Sequence, residues 1–160
     1  MSFPLDPAFA TPFSELEWSA RRPRSEDEWV IGDYARGFLI LQRPEYIQVA
    51  RRVTRGAPAM KMWTPSPQWA QAYVAYWTAR LIRYRRGLPD VHAPASAENL
   101  GAGFRLDLSD PDGVFLHADG SGDWAGFGRG NEGAAVAFSR YWRPNVAEVL
   151  DAVLGEPGAP

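Results

Sequence analysis

Few side chains in this sequence could carry out acid-base or metal chemistry. The chain has two histidines, His92 in a proline-rich connection and His117 in a predicted strand, and neither has a second histidine nearby to complete a metal pair. Arg105 and Asp107 alternate along the preceding predicted strand, so they share one of its faces. Whether His117 joins that face depends on the strand register. A small-ligand or enzymatic pocket around His117, Asp107 and Arg105 is therefore one hypothesis.

Motifs that mark nucleophiles, phosphate sites or calcium sites are incomplete here. Ser121 lies between two glycines but lacks the wider pattern of a nucleophile elbow, and the glycines that follow do not open a helix, which a phosphate loop requires. Asp119, Ser121 and Asp123 alternate like calcium ligands, but the twelfth position holds Gly130 instead of glutamate. The chain contains no cysteine. The sequence predicts no enzyme, no metal and no cofactor.

Residues 119–133 offer binding chemistry instead. Six glycines alternate there with acids, aromatic residues and an arginine. Glycines allow a partner to approach the backbone closely, and aromatic and arginine side chains commonly anchor interfaces. A glycine-rich hairpin with Trp124 and Phe127 directed into the core is an equally good interpretation. The predicted partner-contact residues are Asp119, Ser121, Asp123, Trp124, Phe127, Arg129 and Glu132.

The element that must position these residues is a long helix at 66–87. Ser66 is a suitable N-cap, Pro67 suits the first helical position, and Gly87 suits the left-handed residue after the last turn. Four arginines near its end predict a solvated, positively charged C-terminus, with a site for a phosphate or an acidic partner as the alternative. Apolar residues at three- and four-residue steps predict one buried face: Ala70, Tyr73, Val74, Trp77, Leu81 and Tyr84.

Short runs of β-favouring residues flank this helix, and a second helix is predicted at 145–154. The fold class is therefore α+β, with mainly antiparallel sheet packed on the long helix and the C-terminal helix. The predicted strands are 29–34, 37–43, 45–53 and 59–63 before the long helix, then 103–108, 114–118, 124–128 and 134–138.

Two units are predicted along the chain. Residues 1–28 are broken by prolines and read as an irregular N-terminal segment, with a short helix near 13–19, whereas 29–160 form a single α+β domain. The order of a strand meander followed by a helix occurs twice, at 29–87 and 103–154, so an ancient duplication is a hypothesis.

Composition limits the partners and the location. The 160 residues carry a formal net charge of −2, which argues against a dedicated nucleic-acid-binding protein. No secretory signal and no membrane-spanning run are found, so the expected location is cytoplasmic, with no membrane partner.

Several segments resemble a known family. They are Gly87-Leu88-Pro89 after the long helix, Gly103-Phe104-Arg105-Leu106, the glycine-rich stretch, Ala135-Val136-Ala137-Phe138-Ser139, and a closing helix followed by Gly155-Glu156-Pro157-Gly158-Ala159-Pro160. On these residues the chain resembles immunity protein family 61 of actinobacterial polymorphic-toxin systems. The resemblance covers 29–160.

This resemblance implies an α+β protein that binds a cognate toxin domain in the producing cell. It implies inhibition without catalysis, by covering or plugging the active site of the toxin. Some related immunity proteins neutralise NAD-hydrolysing toxins, and a NAD-hydrolysing toxin and a nuclease toxin are the two partners considered; no residue of this sequence distinguishes them. The segment before Trp29 is not explained by the resemblance.

Overall fold

The chain forms one eight-stranded antiparallel sheet with helices packed on one of its faces. A computed structural model describes residues 4–91 and 94–157. Two meanders, β1 to β5 and β6 to β8, join side by side where β5 pairs with β8, giving the order β1-β2-β3-β4-β5-β8-β7-β6. The predicted α+β class is confirmed. The strands are β1 (Ser19–Arg21), β2 (Glu28–Gly32), β3 (Arg36–Gln42), β4 (Ile47–Val53), β5 (Ala59–Thr64), β6 (Phe104–Asp107), β7 (Gly113–Ala118) and β8 (Trp124–Gly128).

The long helix forms as predicted. It is α2 (Pro67–Arg85), and the Ser66 hydroxyl accepts a hydrogen bond from the Trp69 N–H at 3.4 Å. Gly87 adopts a φ of +68°, and the Leu88 N–H donates to the Arg83 carbonyl at 2.9 Å, which closes the helix as a Schellman motif. The other helices are α1 (Ala10–Glu15), α3 (Glu132–Tyr141) and α4 (Val146–Leu154).

The buried surface of α2 is wider than predicted and is rotated away from Tyr84. Ala70, Tyr73 and Val74 are buried, but Tyr84 is 75% exposed and Ile82 takes its place in the core. The reason is that α2 packs both on the sheet and on α4, so more than one side of the helix is covered. Among the described residues, no helix is long and apolar enough to cross a membrane.

The prediction of a strand at 134–138 is wrong, because this segment lies inside α3. The Ala134 and Ala135 N–H groups donate to the Asn131 carbonyl at 3.1 and 3.2 Å and start the helix. Ala135 and Phe138, three residues apart, are both fully buried. A short continuous apolar run does not distinguish a buried strand from a buried helix by its periodicity. The C-terminal helix is confirmed, with the Asn145 side chain accepting from the Glu148 N–H at 2.9 Å.

The prediction of an irregular segment before residue 29 is also wrong for the part that the structure describes. It contains a 3₁₀ turn (Pro7–Phe9), α1 and the edge strand β1. The Phe9 and Phe13 rings stack at 4.8 Å, and Trp18 contacts both Phe13 and Phe38 at 6.1 Å. The segment thus belongs to the same hydrophobic core as the rest of the chain. Aromatic burial, which needs the whole fold, outweighs the frequent prolines.

The two proposed halves differ in their details. The first, at 29–87, contains β2 to β5 and one long helix, whereas the second, at 103–154, contains three strands and two shorter helices. Both follow the meander-then-helix order, and duplication stays a hypothesis.

Candidate functional site

The structure divides the predicted contact residues between the two ends of β8. Asp119, Ser121 and Asp123 lie on the turn between β7 and β8, with Trp124 at the start of the strand. Arg129 and Glu132 lie beyond the other end of the five-residue strand. The glycine-rich stretch is therefore not one loop, because its middle is a strand with the alternating side-chain directions of a sheet.

The turn is built for a tight reversal that leaves its side chains outside. Gly120 and Gly122 adopt φ values of +82° and +76°, which other residues rarely adopt. The Asp123 N–H donates to the Ser121 hydroxyl at 3.1 Å, and the Asp119 N–H donates to the Gly103 carbonyl at 2.8 Å. Asp119 and Ser121 are exposed. Two carboxylates thus stand at this end of the sheet on a rigid support.

Trp124 belongs to an aromatic cluster on the face of the sheet away from the helices, here called the open face. Its ring lies 5.5 Å from that of Phe115, which meets Trp63 edge-on at 5.6 Å and His117 at 6.5 Å. All four side chains are only half-buried. Sequence analysis missed Trp63 and Phe115, because their proximity depends on β5 pairing with β8 across the two meanders.

A depression of about 280 Å³ adjoins this aromatic cluster. Met60 is 48% exposed at its edge, although it is a large apolar residue. The open face thus combines half-exposed aromatic rings, an exposed methionine and a concave site that could accept a side chain of a partner. The depression is lined by Glu45, Tyr46, Gln48, Met60, Trp63 and Trp124.

Phe127 is a core residue, so its prediction as a contact residue is wrong. It is 0% exposed, and its ring contacts those of Tyr73 and Phe138, each at 6.1 Å. Trp124 lies three positions earlier in β8 and therefore points to the opposite face. The alternative interpretation, a hairpin directing both rings inward, is correct for Phe127 only.

Arg129 and Glu132 surround the connection from β8 to α3, and both are exposed. Arg129 donates from Nε to the Pro111 carbonyl at 2.7 Å, which joins this connection to the turn between β6 and β7. Glu132 is the first residue of α3, where a negative charge stabilises the helix dipole. Each of these residues therefore has a structural role, which leaves their role in partner contact a prediction.

The alternative site brings its three residues to one face without enclosing them. Arg105 pairs with His117 across β6 and β7, and Asp107 lies on the same face. Burial and then the charge of Arg105 lower the pKa of His117, whereas hydrogen bonds from Ser109 lower the pKa of Asp107. None of the three lines the 280 Å³ depression beside the aromatic cluster or the other depressions of about 130, 190 and 300 Å³. His92 lies outside the described residues.

Across residues 4–91 and 94–157, no group of three or more histidine, aspartate or glutamate side chains could hold a metal ion. Charged side chains of the described residues instead form ion pairs with one another and hydrogen bonds to backbone carbonyls.

The prediction of a solvated arginine cluster at the end of α2 is confirmed for Arg85 and Arg86, which are exposed, and is wrong for Arg83. Arg83 is 1% exposed and donates to backbone carbonyls, including Pro89 at 2.9 Å and Glu156 at 2.6 Å. The other three arginines form ion pairs, with the partners Asp90 for Arg80, Glu17 for Arg85 and Glu15 for Arg86. This end of the helix holds the N-terminal segment, the connection after α2 and the C-terminal residues in place.

Comparison with known proteins identifies the family of this chain. The family model described as Imm61, immunity protein 61, matches residues 14–160. The chain belongs to the immunity protein 61 family. The match begins fifteen residues before the first predicted strand, in agreement with the N-terminal segment being part of the core.

Structural comparison supports the same fold. The solved structure of Rv3902c from M. tuberculosis is similar to this immunity protein 61 family member, with a TM-score of 0.76 and 12% sequence identity. The similarity covers 96% of this chain and 92% of that chain. At this identity the likeness concerns the fold alone. A comparison with curated proteins found no significant match.

Proposed function

We propose that this chain binds a cognate polymorphic-toxin domain in the cytoplasm of the producing cell and neutralises it by occluding the active site of the toxin, without catalysis of its own. The observation that carries the proposal is the family match over residues 14–160. Inhibition by occlusion requires only a stable, complementary surface. An eight-stranded sheet whose open face is not covered by any helix of the described residues is a suitable scaffold for such a surface.

The proposed contact surface is the open face at the β7–β8 end. Trp124, Trp63 and Phe115 supply rigid aromatic area that is only half-buried in the free protein. Such side chains dominate the binding energy of many interfaces. The adjoining 280 Å³ depression offers a site for one side chain of the toxin.

The acidic residues at this end of the open face attract a basic toxin surface electrostatically and so steer its approach. Asp119 and Asp123 stand beside Trp124 on the β7–β8 turn, and Glu45 lies across the depression. A toxin that hydrolyses NAD or cleaves nucleic acid handles phosphates, and its active site is expected to be basic. Acids at the rim then accelerate association more than they increase affinity.

Arg129 and Glu132 belong to the same proposed interface at its far edge. A standard interface buries about 800 Å² per partner, which corresponds to a patch roughly 30 Å across. The five residues of β8 span about 17 Å, so one toxin surface can contact both of its ends.

The test pairs binding with protection. The Asp123→Ala/Trp124→Ala variant is compared with the wild-type protein against the cognate toxin domain, by calorimetric titration and by survival of cells that express the toxin. We expect binding to weaken at least about tenfold, because the main aromatic anchor and a steering charge are lost. The matched control is Tyr34→Ala, which removes a 90% exposed aromatic side chain from the turn between β2 and β3, in the other half of the sheet, and is expected to change nothing.

The two parts of the proposal fail separately. Unchanged binding by the double variant overturns the contact surface and leaves the function standing. Failure of the wild-type protein to bind or inhibit the toxin overturns the function itself.

A further inference from the structure

A basic groove runs along α2 on the helix-bearing side of the sheet, away from the open face. It consists of three adjoining depressions of about 130, 300 and 190 Å³, and Trp77 lines all three. This set is called the α2 groove. Between its α2 residues Tyr73 and Tyr84 the helix rises about 16 Å, so the groove is long enough for about five residues of extended chain.

Two guanidinium groups cover the indole in the middle of this groove. The Cζ atom of Arg80 lies 4.2 Å from the centroid of the Trp77 ring, and that of Arg51 lies 4.8 Å away. Arg80 also forms an ion pair with Asp90. Because cations already occupy the π system of Trp77, the groove offers charge and hydrogen-bond donors rather than a free ring for stacking a base.

Arg51 and Lys61 carry the unbalanced charge. Among the described residues, neither forms a salt bridge with an acid, and Lys61 is exposed. Three cations and one acid line the groove, which gives it a local charge of +2 in a chain whose net charge is −2. The acid is Asp90, and Arg80 already holds its carboxylate. The α2 groove is thus electrostatically complementary to an anion.

The far end of the groove is apolar. Tyr84 is 75% exposed and Leu88 is 42% exposed, although both are large side chains with apolar surface. Leu81 lies between them and Trp77 in the lining. A ligand that extends along the groove would therefore meet two unpaired cations at one end and an apolar surface at the other.

We propose that the α2 groove binds an extended acidic segment of a polypeptide, with its carboxylates at Arg51 and Lys61 and an apolar side chain near Leu88. This site lies on the opposite side of the sheet from the proposed toxin-contact surface, so the inference goes beyond the proposed function and does not depend on it. A polypeptide matches the length, the carboxylate chemistry and the apolar end together.

The test uses the full chain and an acetylated, amidated hexaglutamate peptide carrying one C-terminal leucine. Binding is measured by calorimetry, and the site by the shift of the Trp77 indole N–H resonance, assigned with Trp77→Phe. We expect the Arg51→Gln/Lys61→Gln variant to bind about five- to tenfold more weakly, since two exposed ion pairs are lost. Raising the salt concentration should weaken the binding of the peptide by the wild-type protein as well, because salt screens the attraction between the charges.

The matched control is Arg52→Gln. Arg52 follows Arg51 in β4 and points to the opposite face of the sheet, so the variant has a reduced positive charge but an intact groove. Its affinity for the peptide should equal that of the wild-type protein. Lys61→Gln alone changes an exposed side chain and should weaken binding measurably, which keeps the test valid if the double variant is unstable.

Four results would overturn the proposal. They are no binding of the peptide by the wild-type protein, equal binding by the double variant, an equal loss with Arg52→Gln, and tighter binding of a hexathymidylate oligonucleotide than of the peptide at the same site. The last result would assign the groove to nucleic acid instead.

Discussion

The indole ring of Trp63 occupies the space that the missing side chain of Gly126 leaves on the open face. A β-carbon at residue 126 would lie 2.2 Å from Cε2 of Trp63, well inside any permitted contact. The two residues are cross-strand partners at the junction of β5 and β8, where the two meanders become one sheet. This contact therefore supports both the continuity of the sheet and the position of the aromatic cluster proposed to bind the toxin.

The first prediction concerns this junction. Gly126→Ala should lower the free energy of unfolding by about 2 kcal/mol, because the new methyl group forces the Trp63 ring out of its position. Denaturant unfolding measures the change. Trp63→Ala is the companion variant, since it removes the ring that the methyl group would strike.

The double variant tests the cause. If the clash is responsible, Gly126→Ala should cost much less in the Trp63→Ala background than in the wild-type protein. Strictly additive costs would show that the glycine is needed for a different reason.

The second prediction concerns Arg83, a buried cation that holds the C-terminal end of α4. Its guanidinium donates to the carbonyls of Pro89, Val153, Leu154 and Glu156 at 2.6 to 3.2 Å. Arg83→Met should cost about 3 kcal/mol of stability, since several carbonyls lose their donors in a buried site. Urea unfolding and amide exchange after residue 150 measure the loss.

Arg85→Gln is the control for charge and position. Arg85 lies two residues after Arg83 in the same helix and forms an exposed ion pair with Glu17. We expect a change below about 1 kcal/mol. Similar costs for the two variants would contradict the structural role of Arg83.

The third prediction concerns the pH dependence of stability. Hydrogen bonds from Arg80 hold the pKa of Asp90 below its ordinary value. A carboxylate with a lowered pKa in the folded protein stabilises the fold above its unfolded pKa of about 4, and this contribution disappears as pH falls through the folded pKa. Asp90→Asn should therefore lower the melting temperature near pH 7, and its effect should be smaller near pH 3, because protonation of the carboxyl begins to remove the contribution once the pH falls below the unfolded pKa.

The Arg80→Gln background provides the control for that pH dependence. In it Asp90 has lost the hydrogen bonds from Arg80, which are the main cause of its lowered pKa, so Asp90→Asn should cost less than in the wild-type protein near pH 7. A difference between wild-type and Asp90→Asn protein that is constant from pH 7 to pH 3 would exclude the ion pair as its source.

The fourth prediction separates the two aromatic residues of β8. Phe127→Ala should cost about 4 kcal/mol, because it empties a fully buried position between Tyr73 and Phe138. Trp124→Ala should cost about 1 kcal/mol or less, since this side chain is only half-buried. Thermal unfolding of both variants measures the difference.

Assays of protection against the toxin should distinguish the two variants by the same difference in stability. Protection lost with Phe127→Ala should be accompanied by less folded protein, whereas Trp124→Ala should lose toxin affinity while remaining folded. A fully folded Phe127→Ala protein that no longer binds the toxin would contradict the core role of Phe127.

The sequence by itself determined the elements whose signals are local. Ser66, Pro67 and Gly87 mark both ends of α2 through capping and backbone geometry, and seven strands were predicted near their observed bounds from short β-favouring runs between turns. The same local signals made the α+β class and the C-terminal helix predictable. They act within a few residues, so they can be recognised without knowing which distant segments of the chain meet.

Only the tertiary structure decided the rest. The apolar run at 134–138 became helix rather than strand, Phe127 turned inward, and the arginines ending α2 found partners up to seventy-three positions away. The open aromatic cluster exists because β5 pairs with β8, which brings Trp63 over Gly126. Burial and pairing of this kind depend on which distant surfaces meet, and the free energy that selects them is summed over the whole core rather than over neighbouring residues.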